Sequence, residues 1–187
     1  MQSLKAVRFN VVGTSSRGKS TVSKMISEKL SIPYIELDAL FWGPGWSESS
    51  DEELFKSLSE KIAGDGWVLD GNYTRTIPIK WKNVEVVVWI DLPFIKTLFQ
   101  AIKRAFLRSL KKEELWPNTD NRESFRKSFL SKDSIIIWTI KTYNKVKRQY
   151  EALMNEDKYS HIRFVRLQSL EEIDVFVKGL RESQNEL

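Results

Sequence analysis

Short runs of β-branched and apolar residues alternate along the chain with longer stretches in which apolar residues recur at helical spacing. One of these runs, Val86 to Ile90, is continuously apolar, as expected of a central parallel strand that is covered on both faces. The pattern predicts an α/β fold in which helices sandwich a parallel sheet. The runs that predict strands are Ala6 to Val12, Tyr34 to Leu37, Trp67 to Leu69, Val84 to Ile90 and Ile162 to Leu167.

Capping boxes mark the starts of two helices. In this motif a serine and a glutamate three residues later bond each other's free backbone N–H. The pairs here are Ser50 with Glu53 and Ser169 with Glu172. Helices are therefore predicted to begin near residues 51 and 170.

Composition excludes most metal and thiol chemistry. The chain has 187 residues, the length of one domain (1–187), with no cysteine and one histidine. Disulfide frameworks, thiolate zinc sites, iron–sulfur clusters, cysteine nucleophiles and multi-histidine metal sites are thereby excluded. No stretch approaches the roughly 18 apolar residues of a membrane span, and the N-terminus lacks a long apolar segment. We expect a cytoplasmic protein that does not contact a membrane.

Positive charge is concentrated in one region of the chain. Residues 96–148 hold 14 Lys/Arg and 5 Asp/Glu, a net charge of +9, whereas the whole chain carries +5 and the remainder −4. Helical patterns at about 94–110 and 134–153 flank a polar link in this region. We expect a mobile, positively charged subregion here.

The segment GTSSRGKS at 13–20 matches G-x-x-x-x-G-K-[ST] in full, between the first predicted strand and a helical pattern. Glycines let a backbone wrap around phosphate, and a helix start favours anions. Lys19 is expected to reach the β- and γ-phosphates of ATP and act in catalysis, and Ser20 to bind Mg²⁺. The predicted nucleotide-binding residues are Gly13, Ser15, Ser16, Arg17, Gly18, Lys19, Ser20 and Thr21.

This loop alone does not say whether the phosphate is transferred, hydrolysed or sensed. A motor-type ATPase shows an apolar strand that ends in Asp-Glu, whereas the fourth predicted strand here runs into Asp91-Leu92. The Asn-Lys-x-Asp motif of GTPases is also missing, because Asn144-Lys145 is not followed by an aspartate at the required position. The rest of the chain must therefore distinguish between these functions.

Residues 66–76, GWVLDGNYTRT, are similar to the adenylate kinase segment that has an apolar strand, Asp-Gly, a short turn and Arg-Thr, with a turn one residue longer. With the phosphate loop, LDALFWGPGW at 37–46 and WIDLP at 89–93, the chain resembles adenylate-kinase-like P-loop kinases of the type labelled DNA topology modulation proteins. The resemblance covers about residues 6–170. It implies a P-loop NTPase fold, three-layer α/β/α with a five-stranded parallel sheet, an acceptor-binding insertion at about 38–64 and a helical lid at about 96–148.

The resemblance also implies roles for single residues. Asp70 is expected at the carboxyl edge of the sheet, where it orients magnesium-bound water, and Arg75 is expected to bind the acceptor's phosphate. Asp38 ends the second predicted strand, at the place where shikimate kinase has an acceptor-binding carboxylate. It is expected to hold an acceptor hydroxyl or take its proton. An ordinary Asp-Gly turn and a helix cap remain the alternatives for Asp70 and Asp38.

Lid cations are expected to stabilise the transferred phosphoryl group. Arg104 and Arg108 are four residues apart on one helical face and resemble the lid arginines of these kinases, so we predict that they act in catalysis. Arg122 and Arg126 repeat the spacing and are further lid candidates. A solvated basic helix face is the alternative for all four.

Three other features leave their roles open. Phe41, Trp42 and Trp46 either form a wall on which a nucleobase stacks or pack in the core. Asp91 is a turn former or a second carboxylate near the magnesium ion. For His161, which has no partner motif, a surface or packing role is expected.

Two functions compete. The favoured hypothesis is a kinase that transfers the γ-phosphoryl group of ATP, with Mg²⁺, to a nucleotide or small-molecule acceptor held between Asp38 and Arg75. The alternative is a nucleotide-dependent nucleic-acid-binding or regulatory protein, indicated by the basic region. The kinase is favoured because the loop, Asp70 and the paired arginines occur together, whereas no nucleic-acid recognition motif is visible. An NTPase without a separate acceptor is a third possibility.

Overall fold

A parallel sheet runs through the middle of the computed structural model, which describes residues 7–14, 18–111, 114–117, 119–121 and 135–180. Its strands are β1 (Arg8–Gly13), β2 (Tyr34–Glu36), β3 (Trp67–Asp70), β4 (Val86–Ile90) and β5 (Arg163–Leu167). They lie in the order β2-β3-β1-β4-β5, and every neighbouring pair is parallel. The helices in the described ranges are α1 (Lys19–Leu30), α2 (Leu37–Phe41), α3 (Asp51–Lys61), α4 (Ile77–Lys80), α5 (Phe94–Lys111), α6 (Ile135–Leu153) and α7 (Leu170–Gly179).

The five predicted strands are confirmed, with ends that differ by one or two residues. The expectation that Asp38 ends the second strand is wrong. β2 ends at Glu36 because the chain turns directly into α2, so Asp38 lies in the first turn of that helix. β3 continues through Asp70, which is in register with Val11 of β1 and Glu36 of β2. Two acids, Glu36 and Asp70, therefore stand side by side at the carboxyl edge of the sheet.

Helices cover both faces of the sheet because successive side chains of each strand point to opposite faces. In β4, Val87 and Trp89 belong to one core, whereas Val88 and Ile90 belong to the other. Residues of α1 and α7 complete the core that contains Val88, and residues of α3, α4 and α6 complete the core that contains Trp89. The architecture is the predicted three-layer α/β/α sandwich.

Both predicted helix caps form, but they differ in one detail. At α3 the box is complete: Ser50 Oγ accepts from the Glu53 N–H at 3.2 Å, and the Glu53 carboxylate accepts from the Ser50 N–H at 3.0 Å. At α7, Ser169 Oγ accepts from the Glu172 N–H at 3.1 Å. The Glu172 carboxylate, however, accepts from the N–H of Gln168, one residue before the cap, at 2.8 Å. The box predicted at Ser169 is thus half formed, although the helix begins where expected.

The helical patterns of the basic region are confirmed as α5 and α6, with ends within one residue of those predicted. The two helices pack against each other. Tyr143 of α6 donates to the Leu92 carbonyl at 3.2 Å, and its ring meets Phe94 edge to face at 5.0 Å. None of the helices among the described residues is long and apolar enough to cross a membrane.

The strand order fixes where a ligand binds. β1 lies at the centre, with β3 and β2 on one side and β4 and β5 on the other. Open parallel sheets bind ligands outside the carboxyl ends of their strands, at the point where the strand order reverses. The loop after β1 stands at this point, next to the ends of β3 and β4.

Candidate active site

Two glycines shape the loop that follows β1. Gly13 has a φ of +143°, and a Cβ there would lie 2.4 Å from the carbonyl oxygen of Ile90 at the end of β4. Gly18 has a φ of +84°, in the left-handed region that glycine adopts without strain, and leads into α1. A side chain at Gly13 would push the loop away from β4. The glycines of the motif thus set the path of the loop.

The start of α1 supplies an anion-binding end. The Val22 N–H bonds back to the Gly18 carbonyl, and the N–H groups of Lys19, Ser20 and Thr21 stand in the first turn of α1. Such groups, with the helix dipole, favour phosphate. Lys19 Nζ reaches back to the Thr14 carbonyl oxygen at 3.4 Å. Ser15, Ser16 and Arg17, which the motif predicts to bind nucleotide, lie outside the described residues.

A side chain outside the motif holds the first residue of the loop. Asn72 Oδ1 accepts from the Gly13 N–H at 2.9 Å, and Asn72 Nδ2 donates to the Gly13 carbonyl at 2.6 Å. The amide group therefore uses both of its ends on one glycine. Because Asn72 follows β3, these two bonds tie the end of β1 to the turn after β3.

A buried polar network supports that turn. Lys80, at the end of α4, is fully buried, and its Nζ donates to the carbonyls of Gly71 and Asn72, each at 3.2 Å. Asn10 of β1 donates to the Gly71 carbonyl at 3.3 Å and accepts from the Trp81 indole at 2.9 Å. Burial lowers the pKa of Lys80 to about 7. The backbone next to the phosphate loop is thus held by side chains that solvent does not reach.

Both predicted magnesium ligands stand near one hydroxyl group. Tyr34, at the start of β2, donates to Asp70 Oδ2 at 3.2 Å, and the side chain of Ser20 lies close to the same hydroxyl. Burial and the charge of Asp70 raise the pKa of Tyr34, which keeps its hydroxyl protonated. Asp70 is buried, and its Oδ1 has no hydrogen-bond partner within the described part of the chain. A buried carboxylate oxygen without a partner is costly, and a bound cation or its water would satisfy it.

These residues fit a magnesium ion. Mg²⁺ takes oxygen ligands, keeps several waters and is usually held by one or two carboxylates together with substrate phosphates. The Ser20 hydroxyl and the Asp70 carboxylate offer such oxygens beside the phosphate loop. Across the described ranges, no group of three or more His, Asp or Glu could hold a metal ion. The phosphates of a nucleotide would therefore have to complete the site.

The two predicted acceptor residues lie close to Tyr73. Its hydroxyl donates to Asp38 Oδ1 at 2.8 Å, and the Arg75 guanidinium lies 5.8 Å from the centre of its ring. Arg75 also lies 4.8 Å from the centre of the Phe41 ring and forms an ion pair with Asp51 of α3 at 3.1 Å. The structure thus brings Asp38 and Arg75 to the same side of the crevice, with Arg75 paired to a carboxylate.

Glu36 adds a further carboxyl group to this side of the crevice. Burial, and then the negative charge of Asp70, raise its pKa, and Asp38 adds to the same effect. The side chain of Trp116, from the link between α5 and α6, lies near Glu36 and partly offsets the rise in its pKa. The edge of the sheet between β2 and β3 therefore carries several mutually repelling acids.

The aromatic residues after α2 form a chain of edge-to-face contacts. Ring centres are 4.7 Å apart for Phe41 and Trp42, 5.7 Å for Trp42 and Trp46, and 5.9 Å for Trp46 and Trp116. Phe41 is buried, whereas the three tryptophans are half-buried. Phe41 is therefore part of the packed interior, and the tryptophans form a partly accessible wall.

The link between α5 and α6 docks on this wall. Asn121, which is fully buried, accepts from the Trp46 N–H at 2.7 Å and donates to the Gly43 carbonyl at 2.9 Å. The Thr119 carbonyl accepts from the Gly45 N–H at 3.2 Å. The predicted lid region thus reaches the predicted acceptor insertion through backbone and side-chain bonds.

The predicted lid arginines fall beyond what the structure describes. The side chains of Arg104 and Arg108 lie outside the described part, and Arg122 and Arg126 lie outside the described residues altogether. The roles of these four residues stay predictions.

A cleft of about 480 Å³ opens beside the phosphate loop, between α1 and α7. Gly18 and Thr21 line one side, and Leu170, Glu171 and Asp174 line the other. Leu170 is exposed and offers an apolar contact. The cleft has the place and the lining that a planar group attached to bound phosphates would need.

Asp91 and His161 have structural contacts. The Asp91 carboxylate accepts from Arg166 Nε at 2.9 Å and from its terminal nitrogen at 2.6 Å, and Arg166 also pairs with Glu151 at 3.1 Å. This ion pair links the end of β4 to β5 and α6. His161 Nε2 lies 3.3 Å from the Trp81 carbonyl oxygen, which agrees with the packing role expected for it.

Four residues at the site have no role predicted from the sequence: Tyr34, Glu36, Asn72 and Trp116. Their partners are distant in the sequence, 59 positions away for Asn72 and 36 for the bond from Tyr34 to Asp70. A weak signal existed for Glu36, because an acid at the end of an apolar strand, two positions before Asp38, is unusual in a core. The other three become visible only when the strands are placed side by side.

Comparison with known proteins supports the fold. No protein-family model matches the chain. A curated relative described as "Putative adenylate kinase", from Thermococcus onnurineus (strain NA1), is 37% identical over 77 residues. The match covers 37% of this chain and 43% of the relative, so the chain spans less than half of that protein's length. A crystal structure of shikimate kinase from Bacteroides thetaiotaomicron matches with a TM-score of 0.50 and 16% identity, over 97% of this chain and 99% of that one. The chain therefore has the P-loop fold of the adenylate and shikimate kinases.

Proposed function

We propose that the protein is a kinase that transfers the γ-phosphoryl group of ATP, with Mg²⁺, to a nucleotide or small-molecule acceptor. One observation carries the proposal: beside the phosphate loop, Asp70 accepts from the Tyr34 hydroxyl close to Ser20, and its second oxygen is buried without a partner among the described residues. This group stands between the phosphate loop and the edge of the sheet where the acceptor residues lie. The kinase-type fold and the curated relative support the same reaction class.

The donor side positions and stabilises charge, which is most of what phosphoryl transfer asks of a protein. The N–H groups in the first turn of α1 hold phosphate oxygens, and Lys19 compensates the negative charge that spreads over the transferred group. Ser20, and Asp70 through water, would hold Mg²⁺, which neutralises phosphate oxygens when it is bound. Tyr34 holds the Asp70 carboxylate by its hydroxyl.

The acceptor side binds the group that receives the phosphoryl group. Asp38 orients the acceptor hydroxyl and takes its proton, and Arg75 contributes to acceptor binding. The cleft between α1 and α7 takes the nucleobase of ATP, because it begins at Gly18 and Thr21 and has an apolar contact in Leu170.

The finer assignments belong to the same proposal. The chain is one P-loop kinase domain, 1–187, of the topology modulation type, with its acceptor insertion at about 38–64 and its lid at about 96–148. Arg104 and Arg108 act on the transferred phosphate, and Arg122 and Arg126 assist from the lid. ATP is the phosphoryl donor.

The test measures magnesium-dependent transfer from γ-labelled ATP to a panel of nucleosides, nucleoside monophosphates and small hydroxy compounds. Wild-type protein is expected to label at least one acceptor class. Lys19→Ala is expected to lose at least about 100-fold in rate, the usual scale for removing a charge-stabilising group. Lys82→Ala, which removes an exposed lysine of a turn, is the matched control and should keep full activity.

Two results would contradict the proposal. One is transfer by Lys19→Ala at the wild-type rate. The other is binding of ATP without transfer to any acceptor, which would make the nucleotide a signal. In that case DNA binding that weakens steeply with salt would favour the nucleic-acid alternative.

A further inference from the structure

We infer that the acceptor is an alcohol without negative charge, and that a cationic alcohol such as an amino alcohol or amino sugar binds better than a phosphate-bearing one. The inference rests on the proposed kinase function and names the substrate class of the same site. It follows from the charge of the acceptor side, the state of Arg75 and the aromatic wall.

The acceptor insertion is acidic, in contrast to the basic region that follows it. Residues 34–64 hold seven Asp/Glu and two Lys, a net charge of −5, whereas residues 96–148 carry +9. The two lysines, Lys56 and Lys61, are exposed on α3. Six of the seven acids are exposed, so they act through the field of this surface, and a surface of one sign of charge attracts ligands of the opposite sign. This side of the crevice therefore repels an anionic acceptor and attracts a cationic one.

Carboxyl groups lie together at this edge of the sheet. Glu36 is in register with Asp70 on the neighbouring strand, and Asp38 follows two residues later in the first turn of α2. A phosphate group would add between one and two further negative charges at this place, roughly −1.5 to −2 at neutral pH. An ammonium group would instead compensate the acids that are there. The local electrostatics thus favour an amine over a phosphate.

The arginine that could bind an acceptor phosphate is already engaged. Arg75 is the only arginine between residues 18 and 103. Its guanidinium is 3.1 Å from an Asp51 oxygen and lies against the rings of Phe41 and Tyr73, at 4.8 and 5.8 Å from their centres. To bind a phosphate it would have to give up the ion pair with Asp51. In its present contacts Arg75 shapes the aromatic wall.

The wall itself suits an organic cation. Trp42, Trp46 and Trp116 are half-buried, and the side chain of Trp116 lies near Glu36. Aromatic rings attract ammonium groups, tryptophan most strongly, and carboxylates nearby add to the attraction. An acceptor that combines a hydroxyl with an amine therefore finds partners for both groups.

The reaction needs only the acceptor and ATP. The acceptor's hydroxyl oxygen forms a bond to the γ-phosphorus, while the bond from that phosphorus to the β–γ bridging oxygen breaks and ADP leaves with the electron pair. The hydroxyl proton goes to the carboxylate of Asp38, which Tyr73 holds by a 2.8 Å hydrogen bond. The products are a phosphate monoester of the alcohol and ADP.

Matched acceptors test the inference. Initial rates with γ-labelled ATP are compared for glucosamine, glucose and glucose 6-phosphate, for ethanolamine and glycerol, and for each nucleoside against its 5′-monophosphate. Within each set, the uncharged or cationic member is expected to have a kcat/KM at least about tenfold above that of the phosphorylated member. The reason is that placing like charges side by side in a binding site lowers affinity by at least that factor. Quenching of tryptophan fluorescence measures acceptor binding independently of turnover.

Glu36→Gln separates charge recognition from other effects. The variant is expected to raise the KM of the cationic acceptor about fivefold or more, with little effect on the KM of its neutral counterpart, because it removes one attracting charge. Glu60→Gln, which changes an exposed acid of the same insertion, is the matched control and should leave both KM values unchanged.

The outcomes distinguish the two proposals. Preferential phosphorylation of nucleoside monophosphates would keep the kinase function and overturn the inference about charge. Equal KM changes for cationic and neutral acceptors in Glu36→Gln would also overturn it. A panel in which no member is bound or phosphorylated would overturn the inference and the kinase function together.

Discussion

The donor side and the acceptor side of the crevice are formed by different kinds of chemical groups. On the donor side, side chains behind the phosphate loop hold it in place. Asn72 bonds both the N–H and the carbonyl of Gly13, and Lys80 holds the turn that carries Asn72. On the acceptor side, half-buried tryptophans and carboxyl groups stand on the short helix α2, on the turn after it and on the link between α5 and α6. The donor side is thus formed mostly by backbone groups that neighbouring side chains fix in place, and the acceptor side mostly by side chains.

This difference corresponds to what each side has to bind. Phosphate groups are the same in every nucleoside triphosphate, so a fixed set of N–H groups and one lysine serve for all of them. An acceptor must be told apart from related molecules, which requires side chains whose shape and charge can vary without changing the fold. We therefore expect substitutions on the donor side to act on ATP, and substitutions on the acceptor side to act on the acceptor.

Asp70 stands between the two sides, and the largest of these effects is expected there. Asp70→Asn removes the charge that would hold magnesium-bound water, so kcat is expected to fall about 100- to 1,000-fold, the scale observed when one preorganised electrostatic group is lost. The magnesium concentration needed for half-maximal rate should rise as well. Steady-state kinetics across a magnesium titration measures both.

The control for this substitution is Asp65→Asn, which changes an exposed acid in the turn before β3. It should match the wild type. If Asp70→Asn retained the wild-type rate and magnesium requirement, Asp70 would be an ordinary turn residue.

A smaller effect is expected when the clamp on the phosphate loop is removed. Asn72→Ala leaves the Gly13 N–H and carbonyl without their partners, so the loop loses its fixed position. The KM for ATP is expected to rise about tenfold, which corresponds to roughly 1.4 kcal/mol, while the KM for the acceptor stays the same. Steady-state kinetics in which ATP and the acceptor are varied in turn measures the two KM values separately.

Asn83→Ala, at an exposed position of the turn before β4, is the control for the clamp. An equal rise of both KM values in Asn72→Ala would show that the two sides are not independent and would break the comparison. Thermal unfolding of both variants separates local loosening from loss of the fold.

The smallest effect concerns the pH dependence of stability. The pKa of Lys80 is about 7 in the folded state against 10.5 for the unperturbed group, so between these pH values the unfolded chain binds one more proton. The free energy of unfolding should therefore rise with pH above about 7, by at most about 1.4 kcal/mol per pH unit. Below the folded pKa both states are protonated, and the cost of burying the charge is constant.

Lys80→Met isolates this contribution, because it keeps an apolar side chain of similar length and has no group that titrates. Denaturant unfolding at several pH values from about 6 to 9 is expected to show a flatter profile for this variant than for wild type or for Lys82→Met. Parallel profiles for all three proteins would mean that Lys80 keeps its charge in the folded state. Water would then reach Lys80 and the residues around it, although the structure shows them buried.

Local patterns predicted most of the fold. The strands were predictable because each is a short apolar run, and the starts of α3 and α7 because Ser50 and Ser169 are followed by a glutamate at the capping distance. The end of β2 was not predictable. Nothing in the sequence around Glu36 shows that the chain turns into a helix there rather than two residues later. Boundaries of this kind depend on neighbouring strands, which a local pattern does not contain.

The candidate site was predictable where its chemistry is contiguous. Gly13, Gly18, Lys19 and Ser20 form one motif, since a loop that wraps a phosphate needs its glycines, lysine and hydroxyl within a few positions. The partners of Asn72, by contrast, are 59 positions away, and Asn121 bonds a residue 75 positions away. Such pairs have no spacing rule, so only the packed sheet and the docked link bring them together.

The sequence by itself determined the alternation of strands and helices, the phosphate loop and the uneven charge, because each depends on residues that are neighbours in the chain. Only the tertiary structure decided that Tyr34 bonds Asp70 close to Ser20, and that Arg75 is paired with Asp51. These contacts depend on which strands lie side by side and on how the segments between them fold back. Strand order is set by the burial of the whole sheet, to which every element contributes and which no single segment encodes.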